Sequence, residues 1–168
     1  MCTSNCRLTI ITPQGEITIL QKEPTINQCP ICLAGATRID TPNGQMAVKE
    51  LRPGMTVWTN DASGARLPAV IIKMVRVPVP ASHQVVHLLL DDGRELFASP
   101  GHPMADGRLL GNLVPGDRVD GAHVVSAERI PYEETATYDI LPSGETGFYW
   151  ADGILMGSTL APSSPAMK

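Results

Sequence analysis

Leu51-Arg52-Pro53-Gly54-Met55-Thr56-Val57 returns in the second half of the chain as Leu113-Val114-Pro115-Gly116-Asp117-Arg118-Val119. In each copy a leucine precedes a Pro-Gly turn, and the turn feeds a β-rich run. Each run is followed by a further turn signal. The first lies at Asp92-Gly93 and the second at Ser143-Gly144, and both read as hairpin turns. The same series in the same order predicts a duplicated β subdomain whose halves are related by a pseudo-twofold axis.

The residues between the repeats agree with an all-β reading. Residues 8–20 read as strand, Thr12-Pro13-Gln14-Gly15 turn, strand, and residues 36–49 repeat this around Thr41-Pro42-Asn43-Gly44. Residues 68–80 are β-branched until Pro78 and Pro80 stop them, and residues 84–98 form a hairpin around Asp91-Asp92-Gly93. Two more strands are expected at 122–130 and 136–141. No window keeps an apolar period of 3.6 residues, so helix is limited to a single turn near 48–52 or 109–114. The tail 161–168, Ala-Pro-Ser-Ser-Pro-Ala-Met-Lys, has the composition of a loose end. The expected organisation is therefore a cysteine-bearing hairpin segment at 1–31, a β domain at 32–160 and a tail at 161–168.

Bulk properties exclude several functions. The 168 residues are 43% hydrophobic and 18% charged, which suits one globular domain with a real core. The net charge of −4, scattered basic residues and few aromatics argue against a nucleic-acid partner. No run of apolar residues is long enough to span a membrane, and the N-terminus lacks the regions of a signal peptide. A cytoplasmic monomer is expected, with its cysteines reduced.

The residues that carry chemistry are Cys32, in Cys32-Leu33-Ala34-Gly35, and His102, in Ser99-Pro100-Gly101-His102. A cysteine sulfur can attack the carbonyl of the peptide bond preceding it, here Ile31–Cys32, if that bond is strained and its nitrogen is protonated. A histidine from the far end of the fold can deliver the proton.

These segments resemble those of Hint domains, the fold shared by inteins and Hedgehog C-terminal domains. Cys32-Leu33-Ala34-Gly35-Ala36-Thr37-Arg38-Ile39 looks like the opening block, continued by Asn43-Gly44 and by Leu51 to Val57. Leu96-Phe97-Ala98-Ser99-Pro100-Gly101-His102-Pro103 looks like the second block, with Ser99 where threonine is usual. Thr137-Tyr138-Asp139-Ile140 and Tyr149-Trp150-Ala151-Asp152-Gly153-Ile154-Leu155 look like the last two. The resemblance covers about residues 32–160 and implies an all-β horseshoe of two pseudo-twofold-related subdomains. It implies Cys32 as nucleophile in an N–S acyl shift, Ser99 orienting the amide, His102 protonating the departing nitrogen, and Asp139 tuning the cysteine. No cofactor is implied, and the substrate is the chain's own N-terminal segment.

The resemblance departs at the C-terminal end. Met156 stands where an intein has histidine, and Gly157 where it has the asparagine that cyclises. Splicing and C-terminal cleavage are therefore not expected, and Ser158 reads as a tail residue or as a remnant of the downstream nucleophile. Sterol transfer of the Hedgehog kind needs a further segment, and about eight residues follow the resemblance. Cleavage of Ile31–Cys32 through a thioester remains, or a Hint scaffold without chemistry.

A competing pattern claims the same sulfur. Cys2, Cys6, Cys29 and Cys32 fall in a C-x₃-C and C-x₂-C arrangement around the 8–20 hairpin, close to the spacing of a zinc ribbon. A zinc-bound Cys32 would be a poor nucleophile. Zinc on three cysteines and another group, zinc as a latch on Cys32, Cys29 as an internal acyl acceptor, and coincidence all stay open. Outside these motifs, His87 reads as a structural strand histidine, and His83 and His123 as surface residues. Asp91, Asp92, Asp106, Asp117 and Asp120 read as turn residues, and Tyr149 and Trp150 as core.

Overall fold

A computed structural model describes residues 32–160 together with the backbone of two short strands, β1 (Ile10–Ile11) and β2 (Ile17–Thr18), which pair antiparallel. The pair fits the expected 8–20 hairpin. The rest of 1–31 and the tail 161–168 lie outside the described residues, and with them the expected domain limits.

The described chain is β throughout. In order come β3 (Leu33–Ala34), β4 (Arg38–Thr41), β5 (Gly44–Ala47), β6 (Thr56–Asn60) and β7 (Arg66–Pro78). After them come β8 (Gln84–Leu90), β9 (Glu95–Ala98), β10 (Arg118–Val119), β11 (Ala122–Pro131), β12 (Ala136–Pro142), β13 (Phe148–Ala151) and β14 (Ile154–Gly157). Single 3₁₀ turns at Val48–Glu50 and Leu110–Asn112 fall where the sequence allows one turn of helix.

The sequence echo is also a hydrogen-bond echo. Each 3₁₀ turn runs into its repeat leucine, with Leu51 N donating to Val48 O and Leu113 N to Leu110 O. The Pro-Gly corner closes through Met55 N to Arg52 O in one copy and Asp117 N to Val114 O in the other, both at 3.1 Å. Gly54 and Gly116 both sit in the left-handed region, at φ 93° and 95°, which a side chain would strain. Each then donates into the long strand one beyond the next, Gly54 to Ile71 O on β7 and Gly116 to Val124 O on β11. The leucines of the two copies and the ends of the two repeats, Val57 and Val119, are buried in one core.

The two halves exchange strands. The eight-stranded sheet has the order β10-β11-β8-β9-β3-β12-β7-β6. Thus β8, from the first half, pairs with β11 of the second, and β12, from the second half, pairs with β7 of the first. Read from its two ends the order is symmetric: an edge strand, a long strand, an exchanged strand and a central strand. The centre is the contact of β3 with β9, where Leu33 pairs with Ala98. A four-stranded sheet, β14-β13-β4-β5, covers the other side of the core. Alternation fills that core: Val86, Leu88 and Leu90 of β8 and Leu96 and Ala98 of β9 point inward with at most 1% exposure. A large aliphatic side chain so placed contributes about 2 kcal/mol.

One expectation fails. Ser143-Gly144 is a turn, with Gly144 at φ 113°, but it does not close a hairpin. β12 before it belongs to the large sheet, whereas β13 after it pairs with β14 and β4. Ser143 instead ties back to the first half: its N donates to Val70 O, and its Oγ accepts from Val70 N.

Candidate active site

Register alone places Cys32. Leu33 pairs with Tyr138 on β12 and with Ala98 on β9. Continuing both ladders by one residue sets Cys32 opposite Asp139 on one side and Ser99 on the other. Opposed residues of an antiparallel pair project to the same face, so the three side chains share one. Ser99 N donates to Cys32 O at 2.9 Å, so the β9 ladder does continue. The site therefore sits at the junction of the two halves. Cys32 is 2% exposed, and Ser99, His102 and Asp139 are fully buried.

The turn after Ser99 delivers the histidine. His102 N donates to Ser99 O at 3.0 Å, and Pro100 and Gly101 occupy the corners, an arrangement suited to a tight turn. The turn is clamped from beneath, where Gly111 N donates to Pro100 O at 2.8 Å and Leu110 N to His102 O at 3.0 Å. A Cβ on Gly111 would stand 2.7 Å from Pro100 Cβ, so glycine is what lets the two backbones meet. From the far side β14 closes on the same turn, with Gly157 N donating to Pro103 O and Met156 bridging Met104.

A buried polar relay backs His102. Tyr149 is fully buried; its hydroxyl donates to Asp139 Oδ1 at 2.6 Å and lies 3.2 Å from His102 Nε2. Because the phenolic proton is committed to Asp139, the Tyr149 oxygen accepts from His102 Nε2–H. That fixes the tautomer of the neutral ring and makes Nδ1 its basic nitrogen. Asp139 collects three further donors: Ile140 N at 2.8 Å on Oδ1, and Thr159 N at 2.7 Å and Thr159 Oγ1 on Oδ2. Burial, then the charge of Asp139 and the hydrogen bond to it, hold the Tyr149 phenol well above its ordinary pKa. At neutral pH it is a neutral bridge between Asp139 and His102.

The four expected catalytic residues thus meet around one junction. Tyr149 was expected in the core; it is buried, but its hydroxyl belongs to the site. His83 was expected at the surface. It is half-buried, its edge packs on Tyr132, and its Nε2 lies 3.0 Å from Ser99 Oγ. Burial pushes its imidazole below the usual histidine range. Nothing in Pro80-Ala81-Ser82-His83 signals this, because the contact spans the β7–β8 turn and the end of β9. Ser158 reads as a tail residue in the sequence, which gives Thr159 no role. Thr159 grips Asp139, and Ser158 is buried with its Oγ accepting from Leu160 N. Thr137, two residues before Asp139 and on the same face, is fully buried, and its hydroxyl has no hydrogen-bond partner among the described residues.

Trp150, expected in the core, is only half-buried, with the Arg66 guanidinium 4.6 Å from its ring centroid, whereas two histidines lie as read. His87 is a strand histidine, stacked on Phe97 with Nε2 2.8 Å from Glu95, and His123 is exposed beside Asp91. Of the zinc-spaced cysteines, Cys2, Cys6 and Cys29 lie outside the described residues, as does Ile31. Among the described residues no cluster of three or more His, Cys, Asp or Glu could hold a metal. No helix among them is long and apolar enough to cross a membrane.

Comparison with known proteins places the fold. The chain is similar to the bacterial intein-like domain from Clostridium thermocellum, at 18% identity and TM-score 0.65, over 77% of this chain and 99% of that one. It is similar to a DnaB intein from Synechocystis sp. PCC 6803, at 15% identity and TM-score 0.65, over 77% and 99%. A third similar structure is the Msm DnaB1 intein splicing domain bound with zinc, at 18% identity and TM-score 0.60, over 74% and 98%. No curated protein matches the chain. The family description "Hint domain" matches residues 31–135, well over half the chain. With its two exchanged β halves and the cysteine at their junction, the chain belongs to the Hint domain family.

Proposed function

We propose that the chain cuts itself once, at Ile31–Cys32, through a thioester. The observation that supports this best is the convergence of buried Cys32 with Ser99 on one side and Asp139 on the other. His102 follows Ser99 by one tight turn and is backed by the Tyr149 hydroxyl and, through it, by Asp139.

The chemistry follows from those groups. The Cys32 thiol gives up its proton and its sulfur attacks the Ile31 carbonyl. The Ser99 hydroxyl orients that amide. His102, basic at Nδ1, takes up a proton and returns it to the Cys32 nitrogen as the C–N bond breaks. A C–S bond forms, a C–N bond breaks, and the thiol proton ends on the new amine. Asp139, through Tyr149, stabilises the imidazolium while it lasts. Protonating the amine is what keeps the thioester from reverting. Water or an external thiol then releases the segment ending at Ile31. Met156 and Gly157 bring no side-chain amide to the far end, so no splicing follows.

Intact-mass spectrometry of the full chain, with and without dithiothreitol, tests the proposal. A thiol-accelerated fragment beginning at Cys32, absent from Cys32→Ala, is expected. A folded wild-type chain that stays whole under thiol, or a Cys32→Ala chain that is cut at the same rate, refutes it. Zinc measured in the intact chain would favour the ribbon reading of Cys2, Cys6, Cys29 and Cys32.

A further inference from the structure

A serine hydroxyl has no shape of its own to hold it still. Serine lacks the β-methyl that restricts χ1 in branched residues, so its oxygen samples three staggered positions unless a partner chooses one. For Ser99 that partner is the imidazole of His83, at 3.0 Å.

His83 is fixed well enough to do this. Its backbone N donates to Pro80 O at 2.9 Å, and its carbonyl accepts from Tyr132 N at 3.0 Å. Its ring meets Tyr132 edge-on, with centroids 6.0 Å apart at 80°. Tyr132 is itself anchored, its hydroxyl donating to Ala136 O and accepting from Gly35 N. The same tyrosine therefore ties β3, which begins beside Cys32, to the turn that carries His83. Burial lowers the His83 pKa and so disfavours a charged ring beside the thiol.

We infer that His83 is a positioning residue for Ser99: its Nε2 holds the Ser99 hydroxyl in the single rotamer that meets the Ile31–Cys32 amide. The inference rests on the self-processing reading. It differs from a merely structural role in one respect. If His83 acts by fixing χ1 of Ser99, a methyl added to the serine does the same work, and His83 becomes dispensable.

The test is a double-mutant cycle on thiol-induced cleavage of the full chain, with thermal melts to show that each variant folds. His83→Ala is expected to slow cleavage about tenfold with Ser99 present, and by less than about twofold in the Ser99→Thr background. His83→Gln, which keeps a polar group near the Nε2 position, is expected to recover most of the rate in the Ser99 chain. A His83→Ala chain that cleaves at the wild-type rate overturns the role. So does a loss of the same size in both backgrounds with no recovery by glutamine, which would mean that His83 acts through the fold. Absence of any Cys32-dependent fragment from the wild type is a separate result: it refutes the self-processing reading, and the His83 role with it.

Discussion

Removing one oxygen atom, with Tyr149→Phe, separates the relay from the core it is buried in. The phenylalanine ring fills the same buried space, so no large cavity forms. What disappears is the donor 2.6 Å from Asp139 and the acceptor 3.2 Å from His102. Asp139 keeps Ile140 N, Thr159 N and Thr159 Oγ1, so its charge stays solvated by protein. A buried hydrogen bond to a charged group is worth about 2 kcal/mol net. At this chain length that lowers the melting midpoint by about 4–8 °C. Urea unfolding in a Cys32→Ala background, where no cleavage intervenes, reads the loss as a lower midpoint at unchanged slope. The same substitution reshapes the alkaline limb. A phenol whose folded pKa is raised contributes stability that is complete below its unfolded value of 10.0 and is lost as pH rises above it. Tyr132, pushed up to about 12 chiefly by burial, adds to that loss. Stability should therefore fall as the pH rises above 10.0, less steeply in Tyr149→Phe. Cleavage in the Cys32-bearing chain should slow about tenfold or more, because the His102 tautomer is no longer imposed. A variant that unfolds within about 0.5 kcal/mol of its parent and cleaves at the parental rate would refute the relay.

Three other substitutions follow from single observations. Thr137→Val replaces a buried hydroxyl that has no hydrogen-bond partner among the described residues by a methyl of equal size, and should raise stability by about 1 kcal/mol in urea unfolding. Gly111→Ala drives a Cβ into Pro100. It should cost about 1–3 kcal/mol, by the same unfolding assay, and slow cleavage by displacing the Ser99–His102 turn. Asp152 stands at φ 48°, where asparagine is tolerated, and burial raises its carboxyl pKa. Its ionised form opposes folding, so Asp152→Asn should be more stable than the parent at pH 7, the advantage vanishing as the pH drops below 3.8.

The parts of the fold written in local chemistry were legible. Pro-Gly and Asn-Gly punctuation marked the turns, and the Leu-x-Pro-Gly repeat marked the duplication, because backbone conformation at those corners depends on neighbouring residues alone. Strand exchange was not legible: which of β7, β8, β11 and β12 pair is decided by burial across the whole core, and no short window carries it. The same limit explains Ser143-Gly144, a turn whose flanking strands go to different sheets. At the site, Cys32, Ser99, His102 and Asp139 stood out as chemistry-bearing residues in recognisable order. Tyr149 and His83 did not, since a core tyrosine and a turn histidine look alike whether or not their polar atoms meet a partner far along the chain.

Trapping the acyl group tests the self-cutting mechanism most directly. Neutral hydroxylamine attacks a thioester far faster than an amide. In the full-length chain it should yield two masses: residues 1–31 ending in a hydroxamate at Ile31, and residues 32–168 beginning at Cys32, neither appearing from Cys32→Ala. A folded wild-type chain that keeps its full mass, or a fragment pair that Cys32→Ala also yields, would contradict the thioester and leave a Hint fold without this chemistry.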